Sequence, residues 1–120
     1  VSHYRTGRDK EYKVRDHLVD NGYEVIRAAG SKGKVDLVAF KAWLPSGASS
    51  YHMLFVQVKR TGGTIPPVDR AELIRLAGIA RALPIVAYQP LPRRPLQYRL
   101  LAGPGPKDWQ PWTPDEVGAP

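Results

Sequence analysis

Apolar residues along this chain fall into seven segments whose periods differ. Val35 to Phe40 has one polar member, Asp36, among β-branched and aromatic residues, and reads as a strand buried on both faces. Met53 to Arg60 reads as a second strand. Alternation puts Tyr51, Met53, Phe55, Gln57 and Lys59 on one of its faces, and His52, Leu54, Val56, Val58 and Arg60 on the other. Lys41 to Ser50, with Pro45 and Gly47, is the loop between them. Upstream, Val14 and Leu18 lie on one helical stripe, which predicts a helix from about Gly7 to Asn21 with Gly22 as its left-handed cap. Tyr23 to Ala28 alternates as a strand, with Tyr23, Val25 and Arg27 sharing a face. Downstream, a second helix is expected from about Arg70 to Ala82, begun by a capping box of Asp69 and Glu72. Pro84 to Tyr88 and Leu96 to Leu101 complete the strands, and residues 103–120 read as a Pro-rich tail packed on or extending from the body. Helices interleaved with strands predict an α/β domain with a central mixed sheet flanked by helices.

Three polar positions break this pattern. A charge at Asp36, between apolar neighbours, costs free energy unless it is paired or bound to a metal. Gln57 and Lys59 share a face at the end of an otherwise apolar strand, and pairing of the two strands brings them to Asp36. Glu11 stands three residues before Val14 on the helix stripe, so it faces the sheet. Singly, each has an ordinary explanation: a residue at a strand's start, a strand end fraying into water, a surface glutamate paired with Lys10 or Arg15. Together, a carboxylate, an amide oxygen and an ammonium at one strand end form a site for a divalent cation and a phosphate. The turn Gly30-Ser31-Lys32-Gly33-Lys34 lies beside them. It is no P-loop, because its glycines are too closely spaced, no Ser or Thr follows Lys34, and it leads into a strand instead of a helix. Its N–H groups and Ser31 suit a phosphate contact, and a solvated turn fits Lys32 and Lys34 equally well.

Composition narrows the function. At 120 residues the chain is one small domain, and a net charge of +7 with a pI near 9.9 points to a polyanionic partner, most simply nucleic acid. Residues 1–60 carry 11 basic and 6 acidic side chains, against 7 and 5 afterwards, so the charge lies with the polar anomalies. No cysteine is present, which excludes disulfides and thiolate zinc sites, and His3, His17 and His52 have no ligand spacing. No apolar run reaches membrane-spanning length and no signal-peptide pattern opens the chain, so a cytoplasmic protein is expected. The second helix is apolar on more than one side, through Leu73, Ile74, Leu76, Ala77, Ile79, Ala80 and Leu83. A domain this small has limited room to bury it, which predicts a homodimer.

The order of a helix with an inward glutamate, a strand, a turn, an aspartate strand and a strand ending in Gln57-Val58-Lys59 resembles the PD-(D/E)XK nuclease superfamily. More narrowly it is similar to archaeal-type Holliday junction resolvases, including those carried by viruses. Thr6 to Glu11, Arg27 to Ser31 with Asp36, and Phe55 to Lys59 carry the likeness, which runs over about residues 5–88. The resemblance implies a restriction-endonuclease-like core over residues 1–102 and a homodimer that cuts opposing strands of a four-way DNA junction, leaving 5′-phosphate and 3′-hydroxyl ends. It implies that Asp36, Gln57, Glu11 and the Val58 carbonyl hold Mg2+, with Mn2+ as a substitute, that Lys59 is the motif lysine, and that Ser31 lies near the scissile phosphate. Arg5, Arg8, Lys10, Ser31, Lys32, Lys34 and Arg60 are the expected DNA contacts. The departure is Gln57, where such resolvases usually carry glutamate; one negative charge fewer implies lower metal affinity. Two alternatives remain at this point: a restriction or repair nuclease on duplex DNA, and a DNA-binding relative without catalysis.

Overall fold

The computed structural model describes residues 3–28, 34–43 and 50–115, with side chains from 8–28, 34–42 and 52–115. Two helices cover opposite faces of one six-stranded sheet of order β1-β2-β3-β4-β5-β6. Helix α1 spans His3–Asp20, so it begins four residues before the expected start at Gly7. Each residue added to an existing helix costs only its own two dihedrals and gains a hydrogen bond, which outweighs the roughly 1 kcal/mol penalty of an internal glycine. It ends as expected at Gly22, whose φ is +92°, and the Tyr23 N–H donates to Leu18 O at 3.1 Å to close the last turn.

Strands β1 (Glu24–Arg27), β2 (Leu37–Trp43) and β3 (Ser50–Val58) form an antiparallel meander. Several boundaries differ from the sequence reading: β3 begins three residues before Met53 and ends at Val58, so Lys59 and Arg60 lie just past it. Residues Lys41 to Trp43 belong to β2, because the ladder continues through Lys41 opposite His52 to Trp43 opposite Ser50. Val35 and Asp36 stand just outside β2, although the Asp36 N–H still donates to Val56 O at 2.8 Å. The alternation of β3 is as expected: His52, Leu54 and Val56 are buried, while Met53, Phe55 and Gln57 are half-buried.

Helix α2 spans Pro67–Ala80 and makes the crossover to β4 (Leu83–Tyr88), which lies parallel to β3. The capping box expected at Asp69 and Glu72 does not form. Pro66 is the N-cap and makes no side-chain cap bond. Pro67, pre-set for helix, starts it three residues earlier than read. Asp69 and Glu72 instead pair with Lys34 and Arg75. Arg81 caps the C-terminus in a left-handed conformation, φ 56° and ψ 39°, so the helix stops short of Ala82. β5 (Gln97–Leu101) and β6 (Trp109–Trp112) continue the sheet antiparallel. Residues after 103, read as a tail, thus supply an edge strand.

The register assigns the two cores. Val14 and Leu18 of α1 pack on Leu37, Ala39, Leu54, Val56, Ile85, Ala87, Tyr98 and Trp112. On the opposite face Leu73 of α2 packs with Ile65, Val86 and Leu101, joined by Phe55 and Trp109. Arg70 of α2 is buried and its Nη1 donates to Gly103 O and Asp108 O, tying that helix to the segment before β6. Among the described residues no helix is long and apolar enough to cross a membrane.

Candidate active site

Three strands and α1 meet where β2 begins and β3 ends. Leu37 opposes Val56 in the last pair of the β2–β3 ladder, and the Asp36 N–H also donates to Val56 O, which sets Asp36 against the last residues of β3. The Val58 N–H donates to Asp36 Oδ2 at 2.7 Å, which fixes that carboxylate against the end of β3. Lys59 is held by its own N–H, which donates to Ala87 O of β4 at 2.8 Å. From the other side of the sheet, Glu11 of α1 accepts from Arg27 Nε of β1 at 2.8 Å, both side chains being about four-fifths buried. Glu11 therefore faces the sheet as the helix stripe predicts, and its partner is Arg27 rather than Lys10 or Arg15.

Electrostatics joins these groups into one site. Burial pushes the Asp36 carboxyl above the ordinary range; the Val58 N–H pulls it back, Glu11 raises it further, and the charges of Lys59 and Arg27 lower it. Each of those side chains is thus close enough for Asp36 to feel its charge. Arg27 in turn is raised, first by its hydrogen bond to Glu11, and Arg8 opposes that shift, which brings Arg8 to the same region. Gln57 Oε1 is buried and has no hydrogen-bond partner among the described residues. A buried amide oxygen without a donor, beside a carboxylate whose charge is poorly solvated, fits a hard divalent cation, which takes oxygen ligands and supplies the missing positive charge. Among the described residues no three His, Cys, Asp or Glu side chains cluster for a metal. The residues that could contribute oxygen here are Asp36, the Gln57 amide and Glu11.

The remaining expected contacts are distributed. Lys34 pairs with Asp69 of α2 at 3.1 Å. Lys10 donates to Gln89 Oε1 at the end of β4, and Arg60, exposed after β3, contributes to the field at Lys10. Ser31 and Lys32, and the side chain of Arg5, lie outside the described residues. Arg27 is the site residue that the sequence reading did not assign. Its signal was available: a charge on the same strand face as Tyr23 and Val25 is the kind of inward polar anomaly that singled out Glu11.

A mixed sheet carrying an aspartate at one strand end, a Gln-x-Lys at the next and an inward helical glutamate defines a nuclease of the restriction-endonuclease-like fold. The chain belongs to the archaeal Holliday junction resolvase (Hjc) family, whose model matches residues 2–90. It is accordingly an endonuclease of junction resolution, and the family implies use of a divalent metal. The fold is similar to that of Archaeoglobus fulgidus Hjc, a Holliday junction resolvase from an archaeal hyperthermophile, with a TM-score of 0.57 and 24% identity over 77% of this chain and 70% of that one. A search of curated proteins found no match. The family match ends at residue 90, so β5 and β6 lie beyond it.

Proposed function

We propose that the chain is a homodimeric, Mg2+-dependent resolvase that makes paired cuts across a four-way DNA junction, acting in the cytoplasm. The observation that carries this reading is the convergence of Asp36, Gln57, Lys59 and Glu11, with Gln57 Oε1 buried and unsatisfied. Asp36, Gln57, Glu11 and the Val58 carbonyl would hold the cation. When bound, the cation polarises the scissile phosphate and acidifies a water. The chain's own residues set the geometry. The Val58 N–H orients the Asp36 carboxylate, and Arg27 fixes Glu11 toward the sheet. Lys59, whose backbone is tied to β4 just past the end of β3, orients the attacking water and offsets the charge developing on the phosphate. Ser31 contacts the phosphate next to the cut, while Arg5, Arg8, Lys10, Lys32, Lys34 and Arg60 neutralise backbone phosphates without reading sequence. A second copy supplies the second cut. Val68 and Ile79 leave α2 with 76% and 71% of their surface exposed, in keeping with a partner on that helix.

The test compares a labelled four-way junction with linear duplex of the same arms, in Mg2+ and in chelator, for the wild type and Asp36→Asn. Symmetric cuts confined to the junction, lost in chelator and in the variant while junction binding persists, are expected. Equal cutting of both substrates would make it a general duplex nuclease. Tight binding without cutting in any divalent cation would leave a binding-only relative, the reading that Gln57 favours.

A further inference from the structure

Outside the catalytic cluster, α1 and the end of β4 create a second concentration of positive charge. Gln89 follows β4 and is buried, with 6% of its surface exposed. Its Nε2 donates to Arg94 O at 2.7 Å, which fixes the amide so that Oε1 faces α1. Two ammonium groups one helical turn apart, Lys10 and Lys13, both donate to that single neutral oxygen, Lys13 at 3.3 Å. A neutral amide satisfies hydrogen bonds but not charge. Burial, and then the charges of Lys13 and Arg60, push the Lys10 ammonium below the usual lysine range. Two carboxylates of α1 are paired with other cations, Glu11 with Arg27 and Asp16 with Arg15 at 2.9 Å, and Asp9, beside Lys10, is exposed to solvent. Two like charges held together at one acceptor repel, so this arrangement is costly in the free protein and is relieved by an anion.

We propose that Lys10, Lys13 and the Gln89-anchored loop form a phosphodiester-binding site, separate from the Asp36 centre, which holds the junction arm leading away from the cut. This rests on the reading of the chain as a junction-binding protein. Arg60 connects the two sites, since it follows Lys59 in sequence and acts on Lys10. The loop that Gln89 anchors carries Arg93 and Arg94, both exposed. Beyond Lys13 a groove of about 340 Å3 runs between Asp16, His17 and Asp20 of α1 and Pro95 and Leu96 at the end of that loop, so Lys13 stands where the basic stretch gives way to an acidic one. Gln89 is a positioning residue here. It brings two lysines to one point and does not itself supply charge.

Junctions carrying a single neutral methylphosphonate at successive positions along one arm, bound in chelator to the wild type and to Lys10→Gln/Lys13→Gln, test this. For the wild type, one position distal to the cut should weaken binding several-fold. For the double variant the same substitution should have no effect, and its dependence of log affinity on log salt should be shallower by about 0.9 for each phosphate that the lysines no longer neutralise. Lys107→Gln, in the exposed turn before β6, is the control and should keep the wild-type pattern. Wild-type binding in which no position couples to the two lysines would overturn this site alone and leave the resolvase reading intact. Failure of the wild type to bind the junction at all would overturn both.

Discussion

Gln57→Glu adds a carboxylate between Val56 and Val58, both of which Asp36 contacts, and has opposite consequences for the free and metal-bound protein. Neighbouring side chains on paired strands lie roughly 5–8 Å apart, and two unit charges at that distance repel by about 2–3 kcal/mol at an effective dielectric constant near 20. The site is already unfavourable for anions, since burial and Glu11 both raise Asp36. In chelator at neutral pH the variant should therefore lose up to about 3 kcal/mol, which for a domain of this size lowers Tm by about 10 °C. Saturating Mg2+ should recover most of it, because the cation binds the pair of carboxylates better than the carboxylate and amide of the wild type. Lowering the pH in chelator should also recover it. The two carboxyls then share a proton, and the folded state binds more protons than the unfolded chain, so stability rises as pH falls. Thermal unfolding of both proteins in chelator, in Mg2+ and across pH measures all three effects. Equal Tm in chelator with an equal Mg2+ shift would refute the placement of Gln57 beside Asp36 and the metal role with it.

Other predictions follow from single features. Asp36 is raised from an ordinary value of 3.8 in the folded protein, so between that value and the raised one the metal-free protein loses stability as pH increases. Mg2+ affinity should fall as pH drops through the raised value, and Arg27→Met should move that fall to higher pH by removing a charge that lowers Asp36; calorimetric Mg2+ titration over a pH series checks both. Gly63→Ala should cost roughly 1–3 kcal/mol by urea denaturation, since a Cβ there would lie 2.6 Å from Arg99 Nε and 2.7 Å from the Tyr88 ring. A neutral result would mean that Arg99 is free to move. Arg81→Gly should stabilise the protein by roughly 0.5–1 kcal/mol, because glycine takes the left-handed cap of α2 without the Cβ penalty; a loss of stability in the same assay would show that the arginine side chain contributes more than its backbone costs.

What the sequence disclosed about the site is what alternation can disclose. Asp36, Gln57, Lys59 and Glu11 were legible because each puts a polar group on a stripe otherwise apolar, and a local pattern is enough to notice that. Arg27 carried the same signal in a weaker form. Gln89 carried none: it is neutral, it follows a strand, and its significance arises from lysines 79 and 76 residues away in the chain. The capping box failed for a related reason. Asp69 and Glu72 have the right spacing, but Pro66 and Pro67 had already started the helix, and Lys34 draws Asp69 away.

The sixth strand was missed because Trp109-Gln110-Pro111-Trp112 contains a proline inside a Pro-rich stretch, and proline argues against a strand unless that strand lies at a sheet edge. β6 is such an edge, so Pro111 leaves no ladder partner unmet on its outer side. Its position bears on function. Trp109 sits 3.9 Å from the Arg99 guanidinium, which also lies over Tyr88 at 5.1 Å, and this stack is the surface on which Gly63 packs closely. Gly63 belongs to the segment that leaves Lys59 and Arg60 and leads to α2. The family match stops at residue 90, yet the strand beyond it supports the segment next to the motif lysine. Removing residues 103–120 should therefore impair the site through that segment as well as exposing the β5 edge.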